Sequence, residues 1–173
     1  SRLAKTALAK FSNKKLDDIE KIWHGIEAPY DNLFNWLCNE GPMPKIDLLK
    51  TFNPMMLANP ISKNDFKTLI SSQFIAEWKW DGIRVQIILG KSSVKIFSRT
   101  GDDISQSFPE IKNSADSMVI LDGELLVGRD FTPMNFNSLQ QRLNRKKVTQ
   151  KHMDEFPAFI KLYDILYLNN QDL

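Results

Sequence analysis

Apolar residues recur at helical spacing through residues 1–42 of the chain. In the stretch KLDDIEKIWHG, Leu16, Ile19 and Trp23 fall on one face of a helix, and Gly25 is a natural stop. Similar spacing before and after this stretch predicts two further helices. Three helices of this length bury too little apolar area to stand alone, so we expect residues 1–42 to be the end of a larger helical domain.

The pattern changes after a proline-rich connector at residues 43–61. Short apolar runs then predict strands at 73–79, 83–89 and 93–98, with DGI and GKSS as the turns between them. Two further strands are predicted in SMVILDGELLVG and AFIKLYDILYLN, and a helix is predicted between them in NFNSLQQRLN. Hairpin-linked strands with interspersed helices indicate an α+β fold for residues 62–173.

Composition narrows the class of protein but says little about its partners. The chain is 42% hydrophobic and 25% charged, as in a soluble globular protein. Its 23 basic and 21 acidic residues nearly balance, so a nucleic-acid binder would need a local basic patch. The single Cys38 excludes an internal disulfide and is expected to be a buried thiol. The lack of a long apolar run and of a signal sequence predicts a cytoplasmic protein without a membrane span.

The predicted strand at 73–79 carries an unusual density of charge. Because strand side chains alternate, Glu77 and Lys79 share one face at the end of this strand, and Arg84 lies just across the turn. The ordinary interpretation is a surface ion pair beside a hairpin. The alternative is the floor of a pocket, and the residues alone leave both open with a preference for the first.

Four motifs in order carry a family resemblance. EWKWDGIR resembles the K-x-D-G-x-R motif of ATP-dependent DNA ligases, RNA ligases and mRNA-capping enzymes, and SRTGDD, LDGELL and YDILYL resemble the motifs that follow it. FNSLQQRLNRK is similar to a stretch of the bacterial ATP-dependent DNA ligases. The chain is therefore identified as a member of that bacterial ligase type, within the nucleotidyltransferase superfamily. The resemblance is close over residues 50–173 and looser over the helices.

The resemblance implies a domain organisation and a reaction. Residues 62–173 would be the N-terminal part of a ligase-type adenylation domain with mainly antiparallel sheets, and residues 1–42 the last helices of a DNA-binding domain. ATP and Mg²⁺ would be the cofactors, and nicked double-stranded DNA the partner, in DNA repair, replication and recombination. In such ligases a lysine takes AMP from ATP as lysyl-AMP, passes it to a 5′-phosphate, and a 3′-hydroxyl then closes the nick.

The resemblance also implies the site residues. A free lysine, with a pKa of about 10.4, is almost fully protonated at pH 7, so a nucleophilic lysine needs apolar walls or nearby cations. By itself, Tyr163 is equally well interpreted as a core residue. The implied roles are Lys79 as the nucleophile, Glu77 at the adenine amino group, Arg84 near the ribose, Arg99 near the nucleotide phosphate, Glu124 at the ribose hydroxyl or at Mg²⁺, and Tyr163 stacked on the purine.

A basic stretch at residues 142–151 contains Arg142, Arg145, Lys146, Lys147 and Lys151 and no acidic residue. It would either grip DNA phosphates or form a solvated loop, and the second interpretation is slightly preferred for most of its side chains. Two acidic residues in the motifs, Asp122 and Asp164, are interpreted as structural.

The family pattern continues beyond YDILYL with further motifs and an OB domain. We therefore expect the chain to be a fragment that does not seal nicks alone, and expect truncation to expose a strand edge that favours self-association. Two alternatives stay open. One is an RNA ligase or capping-type nucleotidyltransferase, and the other is a non-catalytic nucleotide-binding module.

Overall fold

The helical prediction for the start of the chain is confirmed. The structure, a computed structural model, has three helices there: α1 (Arg2–Ser12), α2 (Leu16–Trp23) and α3 (Asp31–Leu37). They pack around a small apolar core of their own, made by Ile19, Ile22, Leu33, Trp36 and Leu37. The described residues are 2–47, 51–112, 115–143, 145, 147–169 and 171–173.

The rest of the described chain is built on one antiparallel sheet. Its strand order is β2-β1-β3-β5-β6, with β4 paired to β3. The strands are β1 (Ile83–Gly90), β2 (Ser93–Ser98), β3 (Val119–Arg129), β4 (Thr132–Pro133), β5 (Ala158–Leu168) and β6 (Gln171–Asp172). Two short helices, α4 (Phe136–Gln140) and α5 (Gln150–Glu155), precede β5. The α+β class with mainly antiparallel pairing is confirmed.

Strand β1 carries buried apolar residues on both faces, and successive side chains point to opposite faces. On β1, Val85 and Ile87 point into the larger core, which α4 joins through Leu139. Ile88 belongs to a smaller core on the opposite face. Gln86 points to that second face, where its side chain is fully buried and exchanges hydrogen bonds of 2.8 and 3.0 Å with the backbone of Asn53. These bonds attach the connector to the sheet.

Two local predictions are wrong. Residues 74–80 form no strand, and Ile75 and Trp78 are 89% and 84% exposed. The reason is that β1 already pairs with β2 on one side and β3 on the other, so neither of its edges is left for a hairpin partner. Cys38 is exposed, because it follows α3 rather than lying on its buried face. Among the described helices, none is both long and apolar enough to cross a membrane.

Candidate active site

A buried ion pair lies at the centre of the candidate site. Arg84 on β1 donates from Nη2 to Oδ2 of Asp122 on β3 at 2.6 Å, and from Nε to both carboxylate oxygens at 3.2 Å. Its Nη1 donates to the carbonyl oxygen of Met56 at 2.6 Å. The hydrogen bond to Asp122 raises the pKa of the Arg84 guanidinium. The Asp122 side chain is only 3% exposed, so this pairing holds Arg84 firmly in one orientation.

Asp122 is the site residue that sequence reasoning missed. It was interpreted as structural, although it alternates with Glu124 in LDGEL and so points to the same face of β3. That alternation was the available signal. What the sequence does not reveal is that Arg84, 38 residues earlier, is the partner of Asp122.

Tyr163 reaches the ion pair through an irregularity in β5. Asp122 pairs with Asp164 and Gly123 pairs with Leu162, so Tyr163 is the extra residue of a β-bulge. Arg84 Cζ lies 6.0 Å from the centre of the Tyr163 ring. Burial, followed by the charge of Asp122, raises the pKa of the Tyr163 hydroxyl well above its usual range. The hydroxyl therefore stays protonated and can donate a hydrogen bond.

Glu124 lies at the same end of the sheet. It is the register partner of Arg84, and its Oε1 accepts a hydrogen bond from the Gly82 N–H at 3.2 Å. Burial raises the pKa of the Glu124 carboxyl, while the Gly82 N–H and the positive charges of Lys79 and Arg84 oppose that rise. Lys79 lies three residues before Gly82, on the segment that this hydrogen bond attaches to the end of the sheet.

Gly82 allows the chain to cross the sheet closely just before β1. A Cβ atom at this position would overlap the carbonyl oxygen of Leu125 and would lie 2.9 Å from Glu124 Cγ. Only a residue without a side chain fits between the incoming backbone and β3. This close crossing brings the segment that carries Lys79 over the end of the sheet.

The structure gathers some of the predicted site residues and not others. Arg84, Glu124 and Tyr163 lie around Asp122, and Lys79 is on the segment that leads to Gly82 and its bond with Glu124. The expectation that Lys79 ends a strand with Glu77 on the same face is wrong, because both belong to the irregular, exposed segment. Arg99 is exposed in the turn after β2, which lies on the opposite side of β1 from β3. Its expected cavity with Lys79 and Glu124 is not seen among the described contacts.

The interpretations of Arg142 as a DNA-gripping or solvated residue are wrong. Its side chain is fully buried and forms a bidentate ion pair with Glu110 at 2.7 and 2.8 Å. It also donates to the carbonyl oxygens of Ser107 and Phe156 at 2.7 Å each. Arg145, Lys147 and Lys151 are exposed, and Lys146 lies outside the described residues.

The carboxylates of the site fit a metal ion that is held jointly by the protein and a bound phosphate, rather than by protein ligands alone. No group of three or more His, Cys, Asp or Glu side chains suited to a metal occurs among the described residues. Asp122 is engaged by Arg84, so Glu124 is the carboxylate left at this face, with Oε1 on Gly82. Mg²⁺ is commonly held by one or two carboxylates together with substrate phosphates and water. Glu124 fits that donor set through its second oxygen.

Two curated relatives agree with the resemblance. A probable DNA ligase of Koribacter versatilis (strain Ellin345) is 39% identical over 128 residues, which is 71% of this chain and 22% of that protein. A DNA ligase of Methanothrix thermoacetophila is 29% identical over 182 residues, 99% of this chain and 32% of that protein. The solved ligase domain of M. tuberculosis LigD is 28% identical, with a TM-score of 0.43 over 56% of this chain and 30% of that chain.

The family match covers the whole sheet and every predicted site residue. The chain spans 22% and 32% of the length of the two curated relatives. Residues 55–173 match the family model described as the ATP dependent DNA ligase domain. All six strands, and Lys79 with the Arg84–Asp122 pair, lie within that range. The chain therefore belongs to the ATP dependent DNA ligase domain family.

Proposed function

We propose that the intact protein containing this chain is an ATP-dependent DNA ligase that seals nicks through an AMP adduct on Lys79. The observation that carries the proposal is the hydrogen bond from the Gly82 N–H to Glu124, which attaches the segment that carries Lys79 to the end of the sheet. Arg84, Asp122 and Tyr163 converge at this end of the sheet. This is a lysine beside an ordered group of polar side chains on a sheet, within a matched ligase domain.

The proposed reaction is the one that the resemblance to ATP-dependent DNA ligases implies. The neutral amine of Lys79 forms a bond to the α-phosphorus of ATP, and pyrophosphate leaves with the bonding electron pair. The AMP passes to the 5′-phosphate at the nick, which frees Lys79, and the 3′-hydroxyl then displaces AMP. Phosphoryl transfer depends mainly on positioning and charge stabilisation. Arg84, fixed by Asp122, is a preorganised cation suited to the nucleotide.

The remaining roles are assigned on the same basis. Mg²⁺ would neutralise phosphate charge when bound, and Glu124 is the residue that would hold it. Tyr163, whose ring is 40% exposed, offers an aromatic surface to the purine. Glu77 and Arg99 are proposed as adenine and phosphate contacts. Both are exposed in irregular segments and would have to move toward the nucleotide.

The domain organisation is part of the proposal. Residues 1–42 would be the end of a DNA-binding domain, 43–61 a connector, and 62–173 part of the adenylation domain. The separate apolar core of α1, α2 and α3 supports this division. DNA repair, replication and recombination are the processes that a nick-sealing enzyme serves.

The direct test is nick sealing by the intact protein. With a labelled nicked DNA duplex, ATP and Mg²⁺, we expect a ligated strand on a denaturing gel. Omitting ATP should prevent the product, since no AMP adduct would form on enzyme purified free of AMP. A nicked RNA duplex and a capped-RNA assay are the matched alternatives. Product from either of these, with none from DNA, would contradict the proposal and favour an RNA ligase or capping enzyme.

We expect the intact protein to prefer ATP over GTP. The Glu77 carboxylate accepts a hydrogen bond from the adenine amino group, whereas guanine presents a carbonyl oxygen at that position. Two acceptors that face each other cannot form a hydrogen bond, and burying them unpaired costs about 1–3 kcal/mol. Adduct formation with radiolabelled ATP and GTP measures this preference.

The substitution Glu77→Gln is the matched variant for the base preference. Its amide can donate to the guanine carbonyl, so the ratio of ATP to GTP labelling should fall toward one. Equal labelling of the unsubstituted protein by both nucleotides would show that Glu77 does not read the base.

A further inference from the structure

A lysine on β5 lies among three aromatic rings. The Lys161 Nζ is 5.3 Å from the centre of the Trp80 ring, 5.5 Å from that of Phe131 and 5.8 Å from that of Phe159. Phe131 and Phe159 also pack edge to face, with their ring centres 5.7 Å apart. Each distance is within the range of a cation–π interaction. The ammonium group is therefore held by residues from three separate segments of the chain.

One wall of this aromatic cage is built at a conformational cost. Asp130 and Phe131 form the turn between β3 and β4, with φ angles of 50° and 58°. This left-handed region is unfavourable for a bulky residue such as phenylalanine, and it persists only where surrounding contacts determine it. The two-residue hairpin between β3 and β4 requires this conformation at both positions, and it places the Phe131 ring against Phe159 and Lys161.

The cage is adjacent to the candidate site. Lys161 is the register partner of Glu124, and directly paired residues on neighbouring strands face the same side of a sheet. Trp80 is the residue next to Lys79. The chain crosses β3 closely at Gly82 and reaches β5 at Trp80, where the ring contacts the Lys161 ammonium.

The segment that carries Lys79 has few other attachments. Residues 74–79 have no regular secondary structure and are exposed. On the side toward β1, the described contacts that hold this segment are the Gly82 hydrogen bond to Glu124 and the Trp80 ring over Lys161. The first fixes the crossing of β3, and the second fixes the position of the residue that precedes the crossing.

We propose that Lys161 is a positioning residue for Lys79: by holding Trp80 on the sheet, it keeps the segment that carries Lys79 at the end of the sheet, beside the candidate site. The inference rests on the proposed role of Lys79 as the nucleophile. In this proposal Lys161 acts through Trp80 and not through a contact with the nucleotide. Its positive charge matters because the face of an aromatic ring attracts a cation.

The test compares Lys161→Met with Lys161→Arg in the intact protein. Methionine keeps the apolar stem and removes the charge, whereas arginine keeps a cation that stacks on aromatic rings. Lys91→Met, at the exposed turn between β1 and β2, is the control for loss of one lysine charge. The measurement is the single-turnover rate of AMP-adduct formation over a range of ATP concentrations, with thermal unfolding of each variant alongside.

We expect Lys161→Met to slow the maximal rate by about 2- to 30-fold, the range that one cation–π contact spans. The ATP concentration for half-maximal rate should stay within about twofold, because Lys161 does not contact ATP. Lys161→Arg and Lys91→Met should react at close to the unsubstituted rate. A normal rate for Lys161→Met, a defect in Lys161→Arg of the same size, or a change confined to the ATP dependence would each overturn the proposal.

A double-mutant cycle with Trp80→Leu separates positioning from general loss of stability. If Lys161 acts through Trp80, the double variant should be little slower than the slower single variant. Multiplied defects would contradict the proposal. An AMP adduct that persists in Lys79→Ala would instead remove the proposed function, whatever the Lys161 variants show, so the two failures are distinguishable.

Discussion

Replacing Lys79 with alanine is expected to abolish the AMP adduct of the intact protein. The substitution removes the amine that forms the bond to phosphorus. Loss of a covalent nucleophile typically reduces turnover by several orders of magnitude, so we expect a fall on the order of 10³-fold or more. Intact-mass measurement after incubation with ATP and Mg²⁺ detects the adduct directly.

Two further variants separate nucleophilicity from charge. Lys79→Arg keeps a positive charge near Glu124, but a guanidinium does not lose its proton in proteins. This variant should therefore also form no adduct while retaining the stability of the unsubstituted protein. Lys67→Ala removes an exposed lysine from the same part of the chain and should react normally. An adduct mapped by peptide mass to another residue would show that Lys79 is not the nucleophile.

The largest effect on stability is expected from Arg142→Met. The substitution removes both ion-pair bonds to Glu110 and both bonds to the carbonyl oxygens of Ser107 and Phe156. It leaves two carbonyl groups without this donor, and leaves the Glu110 carboxylate, which is 23% exposed, with the Ala158 N–H as its partner. Breaking a buried ion pair by removing one partner typically costs about 3–5 kcal/mol, so we expect a decrease of that size in the free energy of unfolding.

Urea unfolding of this chain, followed by circular dichroism, measures that decrease. Arg145→Met is the matched control, because Arg145 is exposed three residues further along and its replacement should change the free energy of unfolding by no more than about 0.5 kcal/mol. Glu110→Gln in the Arg142→Met background should recover part of the loss, since it removes the unpaired charge and keeps an oxygen for the Ala158 N–H. Equal stability of the Arg142→Met and Arg145→Met variants would show that the buried bonds of Arg142 do not stabilise the fold.

Strand and helix identity was determined largely by local pattern. The apolar runs in Ile83–Gly90 and Val119–Arg129, and the helical spacing around Ile19, predicted elements that the structure contains. These patterns can be detected in the sequence because a helix or strand must bury its apolar side chains, whichever element it packs against. The order of the motifs likewise sufficed to indicate the ligase family, which the family match confirms.

Tertiary structure decided which elements pair and what each polar side chain contacts. The apolar run at 73–79 has the pattern of a strand, yet both edges of β1 are taken by β2 and β3. Arg142 looked like part of a basic loop until Glu110, 32 residues away, accounted for its burial. The sequence shows which side chains share a face of one helix or strand. Contacts between residues that are distant in the chain depend on strand order, register and bulges together. The Arg84–Asp122–Tyr163 group therefore became visible only in the folded structure.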